Sequence, residues 1–305
     1  MRLNRKEDTM LKKVVAILLA LMALLAIGCG GEAEQVAIPA AVPIEASAAP
    51  AATPAPEPTP EPAPAYVSPY TDKLAALKAE NSDAIGWIAI PGTNIDKGIL
   101  YADGWFYASH NEEKKGIESG AIYTHEGKLT QNIVITAHNA RVSKTMFHEL
   151  HHVQEVNMGK TNCAYKKCNA VLDKAALPDF STPEGRIWDV SAFGIDAQWE
   201  IFAMYETDAK ESGKTLVYNT WYTEQSTYYG PTGEAEIKKW IDYQIGRSDY
   251  DFGVTATPKD QFMTIYTCGD NSDSDVKNAQ SRLYFFLKQV NPVSTLYGAS
   301  ATPAA

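Results

Sequence analysis

Cysteine is scarce in this chain. The four present, Cys29, Cys163, Cys168 and Cys268, are too few for a disulfide framework in 305 residues. Cys163 and Cys168 bracket Ala-Tyr-Lys-Lys and either close one small disulfide or stay as free thiols. With no second cysteine pair beside them, a zinc site is not the expectation. Basic runs are missing beyond residues 1–13, and the formal net charge is −10, which argues against nucleic acid as a partner. The one long apolar run, 14–27, falls short of the roughly 20 residues of a membrane-spanning helix. No internal repeat is evident.

What is present begins with a secretion signal. Arg2, Arg5, Lys6, Lys12 and Lys13 precede the apolar run, and Gly28-Cys29 closes it. Gly28-Cys29 resembles a bacterial lipobox, with Cys29 as the lipidated residue, although Ala26 stands where that motif usually has Leu. An uncleaved signal anchor is the alternative. Either places the remainder outside the cytoplasm, tethered to the membrane. Residues 30–66 are mostly Ala, Pro and Glu, and proline at that density makes an extended spacer rather than a core. The expected folded domain covers 67–298, and 299–305 is a tail. A composition 45% hydrophobic is enough for one core there.

Within the domain, Thr71 is placed to cap a short helix on which Leu74 and Leu77 share a face. Strands are expected at 86–90, 121–124, 132–137, 186–193, 199–205, 262–267 and 282–288. Residues 234–245 read as a helix, with Ile237, Trp240, Ile241 and Gln244 at helical spacing. Many strands and few helices predict a mainly β fold, a closed β-barrel with peripheral helices. The stretch 159–183 is polar and turn-rich and reads as a surface insertion.

The most informative segment is Thr264-Ile265-Tyr266-Thr267-Cys268. It ends a strand, and Gly269-Asp270-Asn271-Ser272 breaks that strand at once. A thiol at the end of a strand can reach a substrate, and its thiolate is a strong nucleophile. By alternation Cys268 shares a face with Thr264 and Tyr266, opposite the core-facing Met263 and Ile265. His138 ends an upstream strand and supplies a group able to donate and accept a proton near neutral pH. Arg282 opens a downstream strand and offers a permanent cation for a developing oxyanion. Arg247 and Arg186 are fallback candidates for that cation.

These residues resemble a class B sortase, over about 81–290. Asp83-Ala-Ile-Gly-Trp-Ile-Ala-Ile-Pro-Gly-Thr-Asn-Ile-Asp96 is similar to that family's opening strand and turn. Thr136-Ala137-His138-Asn139 is similar to its histidine motif, and Met146-Phe147-His148-Glu149-Leu150 to the short helix that follows. Thr264 to Cys268 is similar to the signature around its nucleophile, with Ile265 where Leu is usual. Ala137 replaces the usual Gly, and the connection from Cys268 to Arg282 is long for the family.

The resemblance implies a sortase-like barrel and an extracytoplasmic cysteine transpeptidase. Such an enzyme cleaves a sorting motif after Thr near the C-terminus of a secreted protein. It holds the product as a thioacyl-enzyme and passes it to an amine of peptidoglycan or a pilin, on the surface of a Gram-positive bacterium. Cys268, His138 and Arg282 are then nucleophile, acid/base and clamp. Thr267, Tyr266, Tyr107 and Asp270 become candidate contacts for the peptide. No metal or cofactor is called for; Asp270, Asp273 and Asp275 read as a solvated acidic loop rather than a calcium site.

Two other classes compete. His148-Glu149-Leu150-His151-His152 is an H-E-x-x-H string, the zinc metallopeptidase pattern. With Phe147 and Leu150 on the apolar side of that helix and no third ligand in a recognised spacing, His148 and His152 are expected to face solvent. A non-catalytic binding module on the same barrel is the other. A papain-like enzyme fits poorly, because His138 precedes Cys268.

Overall fold

Runs of β-branched and aromatic residues fold into ten strands among the described residues: β1 Ala84–Ala89, β2 Asp96–Tyr101, β3 Ile122–Thr124, β4 Asn132–Thr136, β5 Asn139–Ala140, β6 Thr145–Met146, β7 Ile187–Ala192, β8 Ile195–Asp208, β9 Phe262–Cys268 and β10 Ser281–Asn291. The helices are α1 Thr71–Glu80, α2 Glu149–Asn157, the single turn α3 Pro183–Arg186 and α4 Glu234–Arg247. This computed structural model describes residues 66–163, 168, 170–208, 233–269 and 281–291. All lie in one compact unit of residues 62–305. The expected leader (1–29), the spacer up to residue 65 and the tail (299–305) fall outside the described residues.

Eight strands close into a barrel in the order β1-β2-β3-β4-β9-β10-β8-β7, and β1 pairs back onto β7. Most neighbours are antiparallel, but β2 with β3 and β4 with β9 run parallel, the latter with Asn132 beside Phe262 through Thr136 beside Tyr266. β5 and β6 form a separate two-stranded hairpin.

Strand alternation divides the side chains between two cores. Ile133, Ile135, Met263, Ile265, Leu283, Phe285 and Leu287 fill the barrel with Trp188 and Trp199. Val134, Phe262, Tyr266, Tyr284 and Phe286 point outward, where α4 covers them with Ile237, Trp240 and Ile241. Trp240 lies edge-on to Phe262 and Phe286, at 5.1 and 5.8 Å between centroids. Each such side chain taken from water contributes roughly 1.5–3 kcal/mol. With helix outside and barrel inside, β9 is buried from Phe262 to Thr267, and only its last residue, Cys268, is half-buried.

Two local expectations change. Thr71 does not cap α1: it is the first helical residue, and its hydroxyl donates to Ser68 O at 2.8 Å. Leu74 and Leu77 do share a face, packed against Leu100, Tyr107 and Tyr123. The stretch 159–183 is more than a surface insertion, because Cys168, Leu172 and Phe180 are buried. Phe180 reaches the barrel interior and lies 5.1 Å from the Phe252 ring.

Candidate active site

Register brings the three candidate catalytic residues to one rim. Arg282 stands directly opposite Cys268 on the antiparallel β9–β10 pair. Partners of that kind place their Cβ atoms about 4.5–5.5 Å apart. Thr136 pairs with Tyr266 on the parallel β4–β9 pair, so His138 and Cys268 each lie two residues beyond a matched pair. All three continue the outward-facing rows: Val134 and Thr136 lead to His138, Phe262 and Tyr266 to Cys268, and Phe286 and Tyr284 to Arg282. His138, Cys268 and Arg282 are each half-buried.

His138 is oriented by its neighbours. Its Nε2 lies 2.8 Å from Ala108 O. A carbonyl only accepts, so Nε2 carries hydrogen, and in the neutral ring the lone pair sits on Nδ1. Ala108 belongs to a short 3-10 turn, Phe106–Ala108, fixed by Tyr107. The Tyr107 hydroxyl donates to Asp83 Oδ2 at 2.7 Å and accepts from Asn81 Nδ2 at 2.9 Å. Burial pushes the Tyr107 phenol up to about 12. The bond from Tyr107, with Lys114 beside it, holds Asp83 below the usual carboxylate range.

The backbone at the thiol is held by groups that sequence reading did not single out. Cys268 O accepts from His151 Nε2 at 2.9 Å and from Asn139 Nδ2 at 3.2 Å. Gly269 O accepts from Arg141 Nη2 at 2.6 Å. Asn139 and Arg141 lie just past His138 in the chain, which was the available signal. His151 was obscured by the H-E-x-x-H string, which directs attention to its neighbours.

Thr267, Tyr266 and Tyr107, read from the sequence as peptide contacts, are buried at 1%, 7% and 1% exposure. The Thr267 hydroxyl donates to Ala137 O at 2.8 Å, tying β9 to the end of β4. Tyr266 packs against Tyr284 beneath α4. Their side chains brace the rim rather than line an open surface. Asp270, Asp273, Asp275 and Cys29 lie outside the described residues.

The fallback arginines separate clearly. Arg186 pairs with Glu200 at 3.0 Å, and Glu200 sits opposite Lys288, at the far end of β10 from Arg282. Arg247 caps the near end: its Nη2 donates to Thr207 Oγ1 at 2.9 Å, and Thr207 is the β8 partner of Arg282. Its guanidinium also lies 4.8 Å from the Tyr205 ring.

The expectation that His148 and His152 face solvent is overturned. They are 0% and 8% exposed. Both turn toward Cys168, whose sulfur is 3.2 Å from His152 Nε2 and 3.9 Å from His148 Nε2. Cys163 and Cys168 form no disulfide with each other. The Glu149 carboxylate instead accepts from the backbone N–H of Asn94 in the β1–β2 turn. A metallopeptidase needs an accessible metal with that glutamate beside it, and this helix offers neither.

No family model matches the chain. Sortase B of Listeria monocytogenes is 28% identical over 214 residues, 66% of this chain and 69% of that protein. Sortase B of Clostridium perfringens superposes with a TM-score of 0.52 at 22% identity, covering 71% of this chain and 99% of that one. The Staphylococcus aureus sortase B–substrate complex gives 0.50 at 18% identity, over 72% and 85%. The resemblance to class B sortases is therefore borne out, in sequence by the first and in fold by the other two. The predicted mainly β, closed-barrel fold with few helices stands.

Proposed function

We propose that the chain is a sortase-type cysteine transpeptidase working outside the cytoplasm. One observation carries the reading: Cys268, His138 and Arg282, distant in sequence, share one rim and one face of the barrel through strand register. Similarity to a sortase B supports it.

In this reading the Cys268 thiolate attacks the carbonyl carbon of a threonine in the peptide. Arg282, across the strand pair, donates to the oxygen that gains charge. His138 gives a proton to the departing amine, and a thioacyl-enzyme remains. An incoming amine then loses a proton to His138 and attacks the thioester, re-forming an amide and releasing the Cys268 thiolate. By the family resemblance, the donor would be a C-terminal sorting motif on a secreted protein. The acceptor would be an amine of peptidoglycan or of a pilin. The basic and apolar N-terminal segment would tether the domain at the outer face of a Gram-positive membrane, through Cys29 as a lipoprotein or as an anchor.

Mass spectrometry tests this directly. Wild type and Cys268→Ala are incubated with a library of threonine-containing peptides and amine acceptors. A peptide–amine product and a thioacyl adduct on Cys268, both missing from the variant, are expected. Folded wild type giving neither, with Cys268 still alkylatable, would refute the reading.

A further inference from the structure

Three buried side chains able to ligate a metal meet beside α2. His148 Nε2, His152 Nε2 and Cys168 Sγ all lie within 4.8 Å of one another. The first two are one turn apart, at the start of α2 and within it. The third comes from the segment that packs over that helix, where Lys144 Nζ donates to Cys168 O at 3.2 Å. Cys168 is 2% exposed.

The hydrogen-bond pattern says what each atom presents. Asn139 donates through Nδ2 to Cys268 O, so its Oδ1 is the atom facing His148 Nδ1, at 2.7 Å. An amide oxygen only accepts; His148 Nδ1 therefore carries hydrogen, and its neutral ring aims the Nε2 lone pair at Cys168. Metal-bound histidines are held in this way, with the remote N–H donating to an oxygen. The Cys168 thiol has one proton to offer the two imidazole nitrogens that face it, whereas a cation would engage all three atoms.

We propose that His148, His152 and Cys168 form a buried three-ligand site for zinc(II). Tetrahedral zinc with Zn–N about 2.0 Å and Zn–S about 2.3 Å sets N···S near 3.5 Å. The observed 3.2 and 3.9 Å fall on either side of that separation. Imidazole and thiolate select zinc over calcium or magnesium. Binding releases the Cys168 thiol proton to solvent and leaves one coordination position for water. The ion cross-links α2 to the segment carrying Cys168. Through Asn139, and through His151 on the same helix, it steadies the Cys268 carbonyl. Glu149 takes no part, and the site is distinct from a metallopeptidase centre.

The test is metal binding by the full-length chain in detergent, independent of turnover. After zinc loading and dialysis, stoichiometric zinc is expected by elemental analysis. Cobalt(II) should give a thiolate charge-transfer band in the near ultraviolet. Cys168→Ser should lose the band, while Cys268→Ala and Glu149→Gln keep it. His152→Gln should weaken zinc binding at least tenfold, and Asn139→Ala about 10–100-fold. If Cys168→Ser does not fold, as judged by circular dichroism, His152→Gln carries the comparison. Folded wild type that holds no zinc, or a cobalt band that survives Cys168→Ser and vanishes in Cys268→Ala, would overturn the proposal.

Discussion

Arg282 faces Cys268 directly across the β9–β10 pair, although a long connection separates them in sequence. The expanded loop leaves the register untouched: Gly269 N donates to Ser281 O at 2.8 Å, so the two strands are already paired where the loop leaves and returns. Arg282→Ala is expected to lower kcat/KM for peptide–amine formation by roughly 10²–10³-fold, the cost of losing one donor to a developing oxyanion. Arg186→Ala, at the opposite end of the strand, should leave it within a factor of two or so. Equal losses in the two variants would remove Arg282 from the site.

Tyr107→Phe separates a bracing role from a binding role. Its hydroxyl joins Asn81 and Asp83 beneath the turn that holds His138. Deleting the hydroxyl takes one hydrogen bond from buried Asn81 and one from half-buried Asp83, a loss of about 1–3 kcal/mol in stability. The expected kinetic result is a lower kcat with KM for the peptide nearly unchanged. A raised KM with unaltered stability would instead make Tyr107 a peptide contact.

Trp240→Ala should cost about 3–5 kcal/mol, because the ring fills the space between α4 and the outer face of β9 and β10. Denaturant unfolding measures this. Cys268 and Arg282 continue the same outer rows, so turnover should also fall, even at temperatures where the variant is folded.

Glu126 makes stability depend on pH. Burial, partly offset by hydrogen bonds from Thr130 and the backbone, raises its carboxyl from the ordinary 4.5 to about 7. Oε1 has no hydrogen-bond partner. The folded value lies above the unfolded one, so the fold favours the protonated form. That contribution is complete below about 4.5 and is lost as pH rises through about 7, a span of up to about 3 kcal/mol. Tm against pH for wild type and Glu126→Gln should diverge over this window, with the glutamine variant the more stable at the alkaline end. Parallel curves would contradict the assignment.

Much of the barrel could be read from the chain because its strands carry uninterrupted β-branched and aromatic runs. Residues 132–137 and 262–267 are examples, and so is the helix built on Ile237, Trp240, Ile241 and Gln244. β2 escaped notice because Asp96, Lys97 and Gly98 open it in the manner of a turn. His138, Cys268 and Arg282 were visible as strand-end residues with fitting chemistry. The residues that hold them were not, because a hydrogen bond such as Asn139 to Cys268 O joins positions 129 apart in sequence. For the same reason His148 and His152 read as polar helix surface: their burial depends on Cys168, which arrives from a segment with no periodic signal of its own.

The parallel pairing of β4 with β9 also sets an order of events in time. The bond from Thr267 to Ala137 spans 130 positions, and closing so large a loop is a late and slow step in folding. A chain emerging N-terminus first exposes His138 well before Cys268 exists to meet it. Until the last strands dock, the thiol has neither the imidazole beside it nor the guanidinium opposite. In the proposed reading, transpeptidation at this rim would therefore report a finished molecule, because thiol, imidazole and guanidinium meet only once the last strands dock.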